Sequence, residues 1–130
     1  MRANILIIED NEQNIYLMTF LLEKNGYRIM QARDGLEGIA LARRSKPDLI
    51  LLDIQLPGMD GYAVAHELRQ NGELGDVPIV SVTSYAMSGD RERSLAAGCT
   101  GYIEKPINPE TFAAEIQQYL QAPNSDKRDK

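Results

Sequence analysis

Residues 49–53 read Leu-Ile-Leu-Leu-Asp, an unbroken aliphatic run that ends in a carboxylate, and Ile-Gln-Leu-Pro-Gly-Met-Asp-Gly follows as residues 54–61. A short apolar run bounded by turn residues predicts a strand that is buried on both faces of a parallel sheet. Runs of similar length recur along the chain, at Ile5–Ile8, Arg28–Ala32, Ile79–Thr83 and Gly101–Glu104. The chain therefore contains five predicted strands.

Helices are predicted between these strands from capping residues and from the spacing of apolar residues. Asp34 precedes Glu37 by three residues, which is a capping-box-like start. Residues 108–110, Asn-Pro-Glu, supply a cap, a proline for the first helical position and an acid for the first turn. An apolar stripe at helical spacing follows, formed by Phe112, Ile116, Tyr119 and Leu120. Three more helices are predicted at about 14–25, 61–71 and 89–97.

Strict alternation of strands and helices predicts an α/β protein with a doubly wound, five-stranded parallel sheet. Five βα units are too few to close an eight-stranded barrel, so the helices should cover both faces of an open sheet. We expect residues 1–121 to form this one domain and residues 122–130 to form a polar, disordered tail. Because ligands of such sheets bind at the carboxyl ends of the strands, functional residues are expected directly after each apolar run.

The composition excludes several classes of function. The 130 residues include 14 basic and 19 acidic side chains, which give a net charge of −5 and disfavour binding to nucleic acid or to an anionic membrane. Cys99 is the only cysteine and His66 the only histidine, which excludes an intramolecular disulfide and a histidine-rich metal site. The first apolar run is too short for a signal peptide or a membrane span, so we expect a cytoplasmic protein.

Polar side chains that can carry chemistry follow four of the predicted strands. They are Glu9 and Asp10, Asp53, Thr83 and Ser84, and Lys105. Three carboxylates and one ammonium leave two negative charges, which one divalent cation would cancel. Oxygen ligands favour Mg²⁺, with Mn²⁺ as a possible substitute. Since a carboxylate can form an aspartyl phosphate and the cation, hydroxyl and lysine would stabilise it, the cluster predicts Mg²⁺-dependent phosphoryl acceptance.

In this order, with one motif at each strand end, these residues resemble the receiver domain of two-component response regulators. The matching pieces are Glu9-Asp10, Leu52-Asp53 with residues 56–61, Thr83-Ser84 and Lys105-Pro106, and the similarity runs from about Asn4 to Leu120. The resemblance implies a flavodoxin-like fold with strand order 2-1-3-4-5, as in single-domain, chemotaxis-type regulators. It also implies a signalling domain and not an enzyme, because its only chemistry would be its own phosphorylation and slow dephosphorylation.

The resemblance assigns roles to the residues of the acidic cluster. Asp53 would accept the phosphoryl group from a histidine kinase or a histidine phosphotransfer protein. Asp10 and Asp53 would bind Mg²⁺ directly, Glu9 would bind it through water, and Gln55 would contribute its backbone carbonyl. Lys105 would contact the phosphoryl oxygens.

The resemblance also implies a conformational switch. Thr83 would move toward the phosphoryl group and hydrogen-bond to it, Ser84 would contact it, and Tyr102 would turn inward as the switch aromatic. The Lys105-Pro106 peptide would be cis.

The first predicted helix carries a separate indication of a partner. If its face of Leu17, Met18, Leu21 and Leu22 packs on the core, the 100° step puts Tyr16 and Phe20 on the opposite side. An exposed aromatic pair beside the acidic cluster predicts docking of a helical partner, which in this family is a kinase dimerisation domain or a phosphotransfer domain. Ordinary surface apolar content is the alternative interpretation. We expect a monomer or a weak, phosphorylation-dependent dimer.

Three other functions are compatible with parts of the pattern. A pseudo-receiver would act as an interaction module without phosphorylation. A phosphatase with an aspartate nucleophile needs a second aspartate two residues later, where Gln55 stands. A flavodoxin-like cofactor binder needs an amide-donating loop after the first strand, whereas residues 9–12 are Glu-Asp-Asn-Glu and would repel a phosphate.

Overall fold

The computed structural model describes residues 3–56, 58–70, 72, 74–84 and 89–128, and within them five strands alternate with five helices. The elements are β1 (Asn4–Ile8), α1 (Glu12–Lys24), β2 (Arg28–Ala32), α2 (Gly35–Ser45), β3 (Leu49–Asp53), α3 (Gly61–Arg69), β4 (Ile79–Thr83), α4 (Asp90–Ala96), β5 (Gly101–Glu104) and α5 (Phe112–Arg128). All strand pairs are parallel, and the strand order is β2-β1-β3-β4-β5. The predicted fold class and strand order are confirmed.

The two faces of the sheet carry two separate hydrophobic cores. Alternate residues of a strand point to opposite faces, so Ile5 and Ile7 enter one core while Leu6 and Ile8 enter the other. The first core is completed by α1 and α5, and the second by α2 and α3. Each fully buried Leu or Ile contributes about 1.5–3 kcal/mol. Burial on both faces explains why the central strands are continuous aliphatic runs.

Side-chain caps begin the three helices that follow β1, β2 and β3. Asn11 accepts a hydrogen bond from the Asn14 N–H at 3.0 Å, so α1 begins two residues earlier than predicted. Asp34 accepts from the Glu37 N–H at 2.8 Å, as its capping-box spacing predicts. Asp60 caps α3 in the same way, by accepting from the Ala63 N–H at 2.9 Å.

The last helix differs from its prediction at both ends. Asn108 begins the helical turn as predicted, because its carbonyl accepts from the Phe112 N–H at 3.0 Å, although the regular part of α5 starts only at Phe112. At the other end α5 continues to Arg128, so the backbone stays helical within the segment predicted to be a disordered tail. A polar composition does not by itself end a nucleated helix, because each further residue except Pro123, which has no N–H, can add a backbone hydrogen bond.

A close approach of two chain segments explains the glycine at the start of α3. The Gly61 N–H donates to the Ile54 carbonyl at 2.8 Å, which closes the loop that follows Asp53. A Cβ at position 61 would lie 2.5 Å from the Ile54 Cα and 2.7 Å from the Asp53 carbonyl oxygen. Only glycine fits there without moving the backbone that carries Asp53.

We therefore expect Gly61→Ala to lower the free energy of unfolding by about 1–3 kcal/mol, as overpacking does elsewhere. Gly38→Ala is the matched control, since its Cβ would meet the side chain of Ile8 at 2.5 Å and not backbone. A side-chain contact can relax by a small shift more readily than a backbone contact, and alanine is favoured over glycine inside a helix by about 1 kcal/mol, which offsets part of the cost. Urea unfolding of both variants measures the two changes in the free energy of unfolding. An equal or larger loss in Gly38→Ala than in Gly61→Ala would contradict this prediction.

Candidate functional site

Three carboxylates meet at the carboxyl edge of the two central strands. Ile8 of β1 pairs with Leu52 of β3, so the next residues, Glu9 and Asp53, emerge side by side. Together with Asp10 they place one carboxylate oxygen each within 4.8 Å of one another. It is the one such acidic group found among the described residues. Glu9 is 1% exposed and Asp53 is 3% exposed, whereas Asp10 faces solvent.

Lys105 reaches this cluster from the loop that follows β5. Its Nζ lies 3.3 Å from Glu9 Oε1 and 3.5 Å from Asp53 Oδ1. Its backbone N–H donates to the Thr83 carbonyl at 2.8 Å, which fixes the start of the loop against the end of β4. The Lys105–Pro106 peptide bond is cis, as the resemblance implied.

The environment of Glu9 shifts its pKa upward. Burial raises its pKa, the neighbouring charge of Asp53 raises it further, and Lys105 and the Asn11 N–H oppose this shift. Glu9 Oε2 accepts from that N–H at 3.2 Å. The ion pair of Oε1 with Lys105 lacks hydrogen-bond geometry, so in the described part of the chain Oε1 is buried without a hydrogen-bond donor.

These features fit a divalent cation. Three carboxylates against one ammonium leave two negative charges, and all the donors are oxygens, which Mg²⁺ prefers. A buried carboxylate oxygen without a donor normally costs free energy, and a cation would satisfy it. The cluster can therefore hold Mg²⁺, and its most accessible ligand is Asp10.

The other predicted site residues surround the cluster at different depths. Thr83 ends β4 and is buried, whereas Ser84, the next residue, is exposed. The side chain of Gln55 is also exposed, but its backbone N–H donates to Asp53 Oδ1 at 3.0 Å and orients that carboxylate. Tyr102 is half-buried in β5 and lines a cavity of about 300 Å³ between α4 and α5. Pro57, part of the predicted motif, lies outside the described residues.

Asn11 was not among the predicted site residues. It caps α1 with its side chain and orients Glu9 with its backbone N–H. An asparagine directly before a helix that follows a strand end was the available signal, because such a cap fixes the loop that carries the acidic pair.

The aromatic pair on α1 is exposed, as predicted. Tyr16 is 71% exposed and Phe20 is 49% exposed. Their rings are stacked with centroids 6.2 Å apart, and Lys24 Nζ lies 5.6 Å from the Phe20 centroid. The opposite face of α1 packs on the core through its buried or partly buried residues Ile15, Leu17, Met18, Leu21 and Leu22.

The single cysteine and the single histidine stand apart from the site. Cys99 is buried, and burial raises the pKa of its thiol to about 11, so it stays protonated at neutral pH. His66 is exposed on α3, within 3.2 Å of the Gln70 side chain. Within the described residues, no helix has both the length and the apolar character needed to cross a bilayer.

Known proteins with similar sequences and folds include bacterial signalling proteins. Residues 5–117 match the response regulator receiver domain. The polar-differentiation response regulator DivK of Brucella anthropi is 45% identical over 120 residues, which cover 92% of this chain and 98% of the relative.

Solved structures agree in fold. The chemotaxis response regulator CheY4 of Vibrio cholerae has a TM-score of 0.87 at 28% identity, covering 92% of this chain and 99% of that one. The receiver domain of a sensor histidine kinase from Pseudomonas aeruginosa has a TM-score of 0.80 at 37% identity, covering 93% and 96%. That structure contains a magnesium ion in its active-site cleft.

Replacing Glu9 by glutamine tests how the buried charge affects stability. Without Mg²⁺ at neutral pH we expect this variant to unfold a few degrees higher than wild type, because it removes a buried charge beside Asp53. Mg²⁺ should stabilise wild type more than the variant, which has lost one acidic ligand. Thermal unfolding with and without Mg²⁺ checks both effects.

The stability difference between Glu9→Gln and wild type should depend on pH in one direction. The native pKa of Glu9 lies above its ordinary value of 4.5, so the native state binds the proton more tightly than the unfolded state. Its contribution to stability is present below the unfolded pKa and is lost as the pH rises through the native pKa. In a chelator the advantage of Glu9→Gln should therefore grow from pH 4.5 upward, and a shrinking advantage would contradict the assignment.

Proposed function

The chain belongs to the response regulator receiver domain family of two-component signalling, and we propose that it accepts a phosphoryl group on Asp53 from a phosphohistidine of a partner protein. One observation carries this proposal. The Asp53 carboxylate lies among two further carboxylates and 3.5 Å from a lysine ammonium, at the sheet edge where ligands of this fold bind.

The chemistry is a transfer between two nucleophiles. An oxygen of Asp53 forms a new P–O bond while the P–N bond of the phosphohistidine breaks, and the bonding electron pair leaves on the imidazole nitrogen, which then takes up a proton. The hydrogen bond from the Gln55 N–H holds the Asp53 carboxylate in one orientation for this attack. The protein's contribution is positioning and charge stabilisation.

Asp10 and Asp53 would bind Mg²⁺ directly, Glu9 would bind it through water, and the Gln55 backbone carbonyl would complete the protein ligands. When bound, the ion would neutralise charge on the phosphoryl oxygens. The Lys105 ammonium, already beside Asp53, would pair with another of these oxygens.

The same site would convert phosphorylation into a change of shape. Thr83 at the end of β4 would donate its hydroxyl to the phosphoryl group, with Ser84 as a further contact. The cavity beside Tyr102 would receive its ring as Thr83 moves. The result is a two-state signal that controls a protein partner or passes the phosphoryl group onward.

Hydrolysis of the aspartyl phosphate should be slow. A phosphatase of this fold would need an acid two residues after the nucleophile, and Gln55 supplies an amide there. The proposed activity is therefore stoichiometric signalling and not turnover.

The proposed donor is a helical domain of a histidine kinase or a histidine phosphotransfer protein that docks on α1. Tyr16 and Phe20 lie one and two turns from Glu12, which opens α1 beside the acidic cluster. A partner whose phosphohistidine reaches Asp53 would therefore cover this stacked pair, and exposed aromatic side chains are common centres of binding energy.

The phosphoacceptor is tested by intact mass after incubation with acetyl phosphate, with and without Mg²⁺. We expect wild type to gain one phosphoryl group only with Mg²⁺, and Asp53→Asn to gain none because an amide is not a nucleophile. Asp48→Asn is the matched control: this carboxylate accepts from the Asn4 N–H at the opposite edge of the sheet, and the variant should behave as wild type. A wild-type chain that gains no mass, even when sampled within seconds, would favour the pseudo-receiver.

The docking surface is tested with Tyr16→Ala combined with Phe20→Ala. We expect phosphotransfer from the cognate kinase to fall at least tenfold, since two anchors of this kind contribute about 1–2 kcal/mol each. Phosphorylation by acetyl phosphate should be unchanged, because a small donor needs no docking surface. Leu36→Ala removes an equally exposed apolar side chain from α2 and should leave kinase transfer intact. Unchanged kinase transfer in the double variant would exclude the α1 surface.

A further inference from the structure

Helix α4 is attached to the sheet differently from the other helices. Helices α1, α2, α3 and α5 each contribute buried aliphatic or aromatic side chains to one of the two cores. Of the α4 side chains that the structure describes, only Ser94 is buried, at 3% exposed, and Leu95 is largely exposed. Its N-cap is Gly89 in the left-handed region, without a side-chain cap. Apolar burial therefore contributes little to holding α4.

One polar contact ties α4 to the sheet. Ser94 Oγ lies 3.1 Å from Ser81 Oγ of β4, and both hydroxyls are buried. Ser81 Oγ also lies 3.4 Å from the Gly101 carbonyl of β5. A buried hydroxyl pair must keep its partner, because each oxygen loses its hydration. It therefore specifies one position of α4 over the sheet.

A second polar contact ties α4 to α3. The guanidinium carbon of Arg93 lies 4.3 Å from the centroid of the Tyr62 ring, a close cation–π geometry. Tyr62 follows Gly61 at the start of α3, directly after the loop that carries Asp53. The two contacts are made by neighbouring residues of the same short helix, one to α3 and one to β4.

Both contacts involve elements that lie next to Asp53, namely β4 and the start of α3. Residues 79, 81 and 83 of β4 share one face of the sheet, since alternate residues of a strand point the same way. Ser81 thus points toward α4 on the same face as Thr83, two residues away. A movement of Thr83 toward Asp53 would therefore act on the same strand and the same face that carry the Ser81–Ser94 contact.

We propose that the Ser81–Ser94 and Tyr62–Arg93 contacts form a clasp that holds α4 in its resting position and is released when Asp53 is phosphorylated, so that its strength sets how readily the chain switches. This inference rests on the proposed function. Coupling between two events in one protein is reciprocal. If binding at Asp53 releases the clasp, weakening the clasp should tighten that binding.

The test uses the full chain with Mg²⁺ and beryllium trifluoride, an anion that mimics a phosphoryl group on a carboxylate. The variants Arg93→Gln and Ser94→Ala each weaken one contact. Arg44→Gln is the control, since it makes the same charge change on the exposed part of α2. Hydrogen exchange of the α4 amides is measured in the unbound protein, and the dissociation constant for beryllium trifluoride is measured by calorimetry.

We expect Arg93→Gln to speed α4 exchange and to tighten beryllium trifluoride binding about two- to fivefold, and Ser94→Ala to do so about two- to tenfold. Exchange in β1 and α1 should stay as in wild type, and Arg44→Gln should change neither quantity. In the bound protein, α4 exchange should be the same in all variants, because the clasp is then already released.

Two results would overturn the clasp: α4 exchange that matches Arg44→Gln in both variants, or faster exchange without tighter binding. Wild type that neither binds beryllium trifluoride nor takes up a phosphoryl group would overturn the proposed function and the switching half of the clasp together. The hydrogen-exchange comparison in the unbound protein needs no ligand. It therefore still tests whether the two contacts hold α4 in place.

Discussion

The rest of the structure depends on the two-sided burial of β1 and β3, which holds the carboxylates of Glu9 and Asp53 side by side despite their repulsion. Burial and the neighbouring charge of Asp53 both oppose the ionisation of Glu9 and raise its pKa. What holds the two carboxylates together is the pairing of β1 with β3, whose aliphatic side chains are almost completely excluded from water on both faces. Burial of these side chains stabilises the sheet by far more than one carboxylate pair destabilises it. The fold thus holds an unfavourable concentration of negative charge at the sheet edge, where a cation can bind.

Lys105 moderates this arrangement without removing it. Its ammonium contacts both buried carboxylates, yet one positive charge cannot neutralise three negative ones. The loop after β5 delivers it through the backbone bond from the Lys105 N–H to the Thr83 carbonyl. The proposed reaction needs the Lys105 ammonium and the Thr83 hydroxyl. This backbone hydrogen bond therefore keeps the two residues next to each other.

Rigidity is distributed unevenly around this site. Apolar burial secures α1, α2, α3 and α5 on the two faces of the sheet. Helix α4 is held by a hydroxyl pair and a cation–π contact. Such polar contacts are worth less than a buried aliphatic side chain and depend strongly on geometry. Of the five helices, α4 is therefore the one that a small displacement at the end of β4 would move most readily, as the proposed clasp requires.

The sequence by itself determined the five strands, the α/β alternation and the identity of the cluster, because two-sided burial demands aliphatic runs and parallel strands end at one edge. It also predicted the caps Asp34 and Asn108, which act through neighbours three or four residues away. It did not predict the helical extension of α5. Only the tertiary structure decided the ion pair of Glu9 with Lys105 and the Ser81–Ser94 and Tyr62–Arg93 contacts. These join residues far apart in the chain, and their energies depend on distances that no local pattern encodes.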